Sequence, residues 1–215
     1  MEIIVQGKGT KYIKPNEVVL NLTFTNKAKT YDVVLSDGIR SVNYFVEEIL
    51  LKNGFSKDEL KTRSFVINEE KKYDEKMREY IDAGYSFNQV ATLKFDYNME
   101  LLSNLILAIS EMTIAPTYYI KFGVKDEEEC RNEVLAKAYQ NAYNQALAIA
   151  SSAGKNLRYC QKVDFQPISN NYYSPAEFSS SFMRAKAVNS DMLINSFTPE
   201  DIEISETLYC SWIAD

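Results

Sequence analysis

Between Val18 and Thr25 the apolar residues Val18, Leu20, Leu22 and Phe24 alternate with Val19, Asn21, Thr23 and Thr25. That period of two predicts a half-buried β-strand, with Pro15 marking its upstream boundary. Thr30 then offers an N-cap oxygen, and Leu35, Ile39, Val42, Val46 and Ile49 follow at helical spacing until Gly54 provides a stop. The pattern predicts a helix of about five or six turns. A second strand is expected over Arg63 to Glu69, and the mixed-charge run Glu69 to Arg78 reads as a solvated hairpin loop or its ragged edges. The strongest alternation comes next, with Tyr85, Phe87, Ala91, Leu93, Phe95 and Tyr97 on the face that must be buried.

Asn98 is placed to cap a shorter helix with the stripe Leu102, Leu105, Ile106, Ile109 and Met112, and Ile114 to Val124 returns as a strand. The order strand, helix, strand, strand, helix, strand over residues 18–124 is that of a ferredoxin-like βαββαβ lobe. Asp126 and Glu129 have capping-box spacing before a long helix that runs to Gly154. Its buried stripe is small, Ala138, Ala142, Ala146, Ala150 and Ala153, so its backbone can approach a neighbour closely. Strands are expected from Leu157 to Phe165 and from Ile202 to Ile213, and both chain ends, Ile3 to Gly9 and Phe197 to Ser205, read as strands of one sheet. Between them Gln166 to Ser196 lacks clear periodicity, the signature of a binding loop or excursion. Its Tyr172, Tyr173, Phe178, Phe182 and Met183 are the candidate interaction residues.

Composition narrows the chemistry. With 215 residues, 46% hydrophobic and 25% charged, the chain is globular in character and long enough for one large or two small domains. A net charge of -6 opposes phosphate backbones, so nucleic acid is not an expected partner. Gly84-Tyr85-Ser86-Phe87 lies where RNA-recognition sheets place stacking aromatics, yet Ala83 stands in place of a basic residue and the odd positions read as core. No apolar stretch is long enough to span a bilayer. Met1 to Gly7 lacks the pattern of an export signal, which makes a cytoplasmic protein the expectation.

The chain has no histidine, so the customary base that activates a nucleophile is missing. Cys130, Cys160 and Cys210 are odd in number and far apart in sequence, which predicts buried thiols in place of a disulfide framework or a zinc site. Carboxylates such as Glu69, Glu70, Asp74 and Glu75 have the right groups for acid and base work but no distinguishing arrangement. Gly7-Lys8-Gly9 is followed by Tyr12, Lys14 and Pro15 and not by a helix start, so a turn or bulge between paired strands is preferred to a phosphate loop. No catalytic, cofactor-binding or metal-ligating residue is assigned, and no cofactor is expected.

Several landmarks occur together: Gly7-Lys8-Gly9, Lys14-Pro15, Lys27-Ala28-Lys29-Thr30, Gly84 to Asn88, Ala136 to Ala138, Ala146 to Ala148 with Ala153-Gly154, and Phe197-Thr198-Pro199 through Ser205. In these the chain resembles the SIMPL-domain family over essentially its whole length. The resemblance implies an α+β fold, with a ferredoxin-like lobe (18–124) inserted into a second lobe. That outer lobe, 1–17 plus 125–215, would hold the N-terminal strand, the long helix and the last two strands, with an irregular excursion at 166–196. Bacterial relatives that are often exported, ring-like homo-oligomers and links to stress tolerance belong to the same implication. The functional expectation is a non-enzymatic interaction or homo-oligomeric scaffold protein that binds itself or a protein partner. The alternative is a protein that binds or transforms a small ligand in the crevice between its lobes, and a sheet that binds RNA is the third reading.

Overall fold

The computed structural model describes residues 1–165 and 198–215, so the five aromatic and methionine residues singled out between 172 and 183 lie outside the described residues. The fold is α+β, with two antiparallel sheets and three α-helices among the described residues. The described residues cluster into two compact units. One contains Met1–Pro15, 124–165 and Glu200–Asp215, and the other contains Asn16–Gly123 and 198–199.

In the first unit, strand β1 (Glu2–Ile13) and strand β7 (Ile202–Ala214) pair antiparallel from Glu2↔Ile213 to Ile13↔Ile202 without interruption. The two ends of the chain therefore share a sheet, as their patterns predict. Strand β6 (Leu157–Asp164) lies on the other side of β7, giving the order β1-β7-β6. Ile3, Val5, Gly7 and Gly9 of β1 are buried while Ile4, Gln6 and Lys8 are exposed, so the period of two sets which face meets the helix.

That helix, α3 (Glu127–Ser152), buries Val134, Ala138, Ala142, Ala146 and Ala150. Gly7 and Gly9 are not in a turn or bulge, which corrects the sequence expectation. They lie within continuous β1 because the helix backbone passes directly over them. A Cβ on Gly7 would stand 2.0 Å from the Ala138 carbonyl oxygen, and one on Gly9 would stand 2.1 Å from that of Val134. Small residues on both sides bring sheet and helix together. Ala153 follows the helix and is exposed, so it leaves the predicted stripe. Asp126 occupies the N-cap position but its side chain accepts no capping hydrogen bond, so the expected box does not form.

The second unit has strands β2 (Glu17–Ala28), β3 (Leu60–Asp74), β4 (Glu79–Asp96) and β5 (Thr117–Gly123) in the order β3-β4-β2-β5, every neighbour antiparallel. Helices α1 (Tyr31–Tyr44) and α2 (Met99–Ser110) contribute Val34, Leu102, Leu105 and Ile109 to a core that includes Leu20, Leu22, Phe24, Phe87 and Leu93. Asn98 caps α2 as expected, its Oδ1 accepting from the Leu101 N–H at 3.0 Å.

The buried stripe of α1 differs from the predicted one. Val34, Gly38 and Ser41 face the core, followed by Phe45, Ile49 and Leu50, whereas Ile39 is exposed. Two causes act together. Gly38 is small enough to lie on the Phe87 ring, where a Cβ would approach to 2.3 Å, so the contact is invisible to a search for large apolar side chains. A π-helical turn at Phe45–Leu50 then widens the helix and brings Leu50 onto the buried face. Thr30 stands at the N-cap position without a side-chain capping bond.

Candidate interaction site

The β3–β4 hairpin is much longer than the sequence pattern suggests. The stretch that reads as a loop is mostly paired strand, with Lys71↔Asp82, Tyr73↔Tyr80 and Asp74↔Glu79 in register and only residues 75–78 turning. Asp74 organises that turn. Its Oδ1 accepts from the Lys76 N–H at 2.8 Å and from the Met77 N–H at 3.2 Å, while its carbonyl accepts from the Arg78 N–H at 2.8 Å. Arg78 takes the left-handed conformation, φ 55°, that closes it.

The pairing of β2 with β4 ends at Ala28↔Tyr85, and from there the hairpin continues as a two-stranded ribbon. A register shift between Glu70 and Lys71 marks the transition. Gly84, at φ 94°, occupies this point because a Cβ there would lie 2.3 Å from the Ala28 carbonyl oxygen. Tyr73 and Tyr80 meet edge to face across the ribbon with centroids 5.3 Å apart. Even so, Tyr80 is 71% exposed and Met77, at the tip, 68%. Large apolar side chains projected on a ribbon into solvent are unusual unless something covers them.

At the root of the ribbon, on the β2–β4–β3 surface, lies a cleft of about 550 Å³ lined by Thr25, Lys27, Val66, Asn68, Glu70, Ser86 and Asn88 among others. The Ser86 hydroxyl and the Lys27 ammonium both hold the Glu70 carboxylate and keep it below the usual carboxylate range, and the Lys27 Nζ to Glu70 Oε2 distance is 3.1 Å. These charges satisfy one another across β2 and β3. The arrangement ties strands together and does not leave Glu70 poised to exchange a proton near neutrality.

Among the described residues β3 is also an edge strand. Its 15 residues compare with 12, 8 and 7 in β1, β6 and β5, which border the sheets elsewhere. Eleven of the 15 residues of β3 are exposed, including Phe65 at 49% and Val66 at 44%. Its outward N–H and C=O groups form a template for another strand. The sequence signal for this site was present but disguised, because Glu69 to Arg78 has the charge of a loop and the backbone of a strand.

The other candidates resolve one by one. Phe87 is buried against Gly38 and Phe65, so its ring does not lie open for stacking on a base, while half-buried Tyr85 meets Tyr31 edge to face at 5.8 Å. Glu69, Glu70, Asp74 and Glu75 spread along the hairpin and do not converge. Cys130 lies near Lys11, with Sγ 3.9 Å from Nζ. Cys210, fully buried under α3, is raised from 9.0 to about 11 by burial first and by the neighbouring Cys160 thiol second, so it stays protonated at neutral pH. The sequence separation of Cys160 and Cys210 concealed this neighbourhood, which the β6–β7 pairing creates. Among the described residues no group of three or more Cys, Asp or Glu is arranged to hold a metal ion, and no helix is long and apolar enough to cross a membrane.

A comparison with curated proteins finds no match. The family model of SIMPL, described as a protein of unknown function (DUF541), matches residues 3–212, from the start of β1 nearly to the end of β7. The chain therefore belongs to the SIMPL family.

Proposed function

We propose that this protein works without catalysis, as an interaction or homo-oligomeric scaffold protein that uses the β3 edge and the projecting β3–β4 ribbon as its contact surface. The observation that carries the reading is the length and exposure of β3, together with exposed Tyr73, Met77 and Tyr80 on the ribbon beyond it. An unpaired edge offers directional backbone hydrogen bonds, and the aromatic and methionine side chains supply apolar area to bury. We read the Asn16–Gly123 unit as a ferredoxin-like lobe inserted into the other unit, on the strength of its strand order. Tyr172, Tyr173, Phe178, Phe182 and Met183 are proposed as a second contact element on their composition alone.

Light scattering over a wide concentration range tests the reading. A particle mass that rises above the 24.7 kDa of one chain, and falls back when Met77 and Tyr80 are both replaced by Ser, is the expected result. A single-chain mass at every concentration, unchanged by those substitutions or by deletion of residues 169–194, overturns self-association.

A further inference from the structure

Cys160 and Cys210 are far apart in sequence and adjacent in the fold. Cys210 is fully buried in the cluster that contains Ala138, Ala142, Ala146 and Trp212, and half-buried Cys160 packs against the same cluster. In the β6–β7 register Cys160 stands opposite Trp212, two places along β7 from Cys210. Both cysteines hold paired positions, since the unpaired residue of the nearby register shift is Gln161. The Cys160 sulfur lies within hydrogen-bonding reach of the Cys210 thiol and of the Tyr139 hydroxyl. We propose that the pair is a two-coordinate site for a soft monovalent metal ion, Cu(I), held between the two sulfurs beneath α3. This site is separate from the β3 contact surface.

Distance, donor type and surroundings select the ligand. Diagonal neighbours on antiparallel strands stand about 7–8 Å apart at Cα, whereas disulfides usually span less than about 7 Å. With metal–sulfur bonds of about 2.3 Å, a cation in line between two thiolates holds the sulfurs about 4.6 Å apart and bridges a diagonal that suits a disulfide poorly. The chain has no histidine, and among the described residues no third Cys, Asp or Glu joins the pair, which leaves zinc short of its usual four ligands. Two thiolates in an apolar setting form a complete set for Cu(I), which prefers sulfur and accepts linear coordination. Binding is a proton exchange without a redox change: Cu(I) and two thiols give one bis-thiolate complex and two protons. The burial that keeps Cys210 protonated favours a cation that binds sulfur strongly enough to displace that proton. Trp212 is an independent pointer. It is 3% exposed, its Nε1–H has no partner among the described residues, and its ring lies 5.5 Å from that of Tyr139. A buried indole N–H without an acceptor is costly, and a metal-bound thiolate opposite it supplies one.

Trp212 is the only tryptophan of the chain, so its fluorescence reports on the site. Anaerobic titration of the full chain with the Cu(I)–bicinchoninate complex is expected to transfer one copper per chain, quench Trp212 in step and raise the thermal midpoint. Cys130→Ser should leave all three responses unchanged. Cys160→Ser and Cys210→Ala should each lower copper affinity at least about a hundredfold and abolish the quenching, with circular dichroism showing that the variants fold. If Cys210→Ala unfolds, Cys160→Ser at the half-buried position decides the matter by itself. Zn(II) should bind at least about a hundredfold more weakly than Cu(I). Failure to take copper from bicinchoninate, quenching that persists in Cys160→Ser, or Zn(II) bound as tightly as Cu(I) overturns the proposal.

Discussion

Gly7 shows how much one missing methyl group can decide. Its hydrogen leaves space for the Ala138 carbonyl at the place where a Cβ would fall 2.0 Å from the oxygen and 2.7 Å from the Ala142 Cβ. Neither backbone can yield without moving a strand paired along its whole length or a helix anchored by four buried alanines. Gly7→Ala should therefore lower stability by about 3 kcal/mol, measured by urea denaturation. Gly123→Ala is the control. Its Cβ would meet nothing closer than the Glu17 Oε2 at 3.5 Å, an ordinary contact, and the midpoint should barely move. The sequence shows both glycines equally plainly. Only the position of α3 separates the one that must remain glycine from the one that need not.

Among the elements, the two helix starts make a similar contrast. Asn98 and Asp126 are both good N-cap residues and both precede convincing helical patterns, but only Asn98 makes a side-chain capping bond. Asn98→Ala should cost about 1 kcal/mol. Asp126→Ala should cost less than half of that, because it removes only the attraction between a carboxylate and the helix N-terminus, which Glu127, Glu128 and Glu129 also provide. Thermal or urea unfolding of the two variants compares them directly. The strands carry the same lesson. The alternation of β4 correctly places Phe87, Ala91, Leu93 and Phe95 in the core, while the charged half of β3 reads as loop. A ribbon needs a partner strand and not an apolar face, so side-chain pattern says little about its length. The length of the β3 edge was hidden for the same reason.

The molecule as a whole is organised by the meeting of its ends. Because β1 and β7 pair from end to end, the chain leaves the first unit near Pro15 and returns to it near Val124, and the residues between close a core of their own. The fragment 16–123 should consequently fold by itself, with a cooperative melt and dispersed amide resonances. Removing 202–215 should abolish the three-stranded sheet, since β7 is its central strand. A non-cooperative melt of the 16–123 fragment would show that its core depends on the rest of the chain.

Local periodicity by itself determined the class and order of the elements, the strand character of both ends, the apolar face of β4, the small-residue stripe of α3 and the landmarks of the family. Those features are written in neighbouring residues, within reach of one turn or one pleat. Tertiary structure alone decided the rest: why Gly7 and Gly9 are glycine, that Gly38 and a π-helical turn set the phase of α1, that Cys160 and Cys210 are neighbours, and that β3 is a long edge strand among the described residues. Each of these depends on which surfaces meet across the fold. Such contacts join residues remote in sequence, and no spacing along the chain records them.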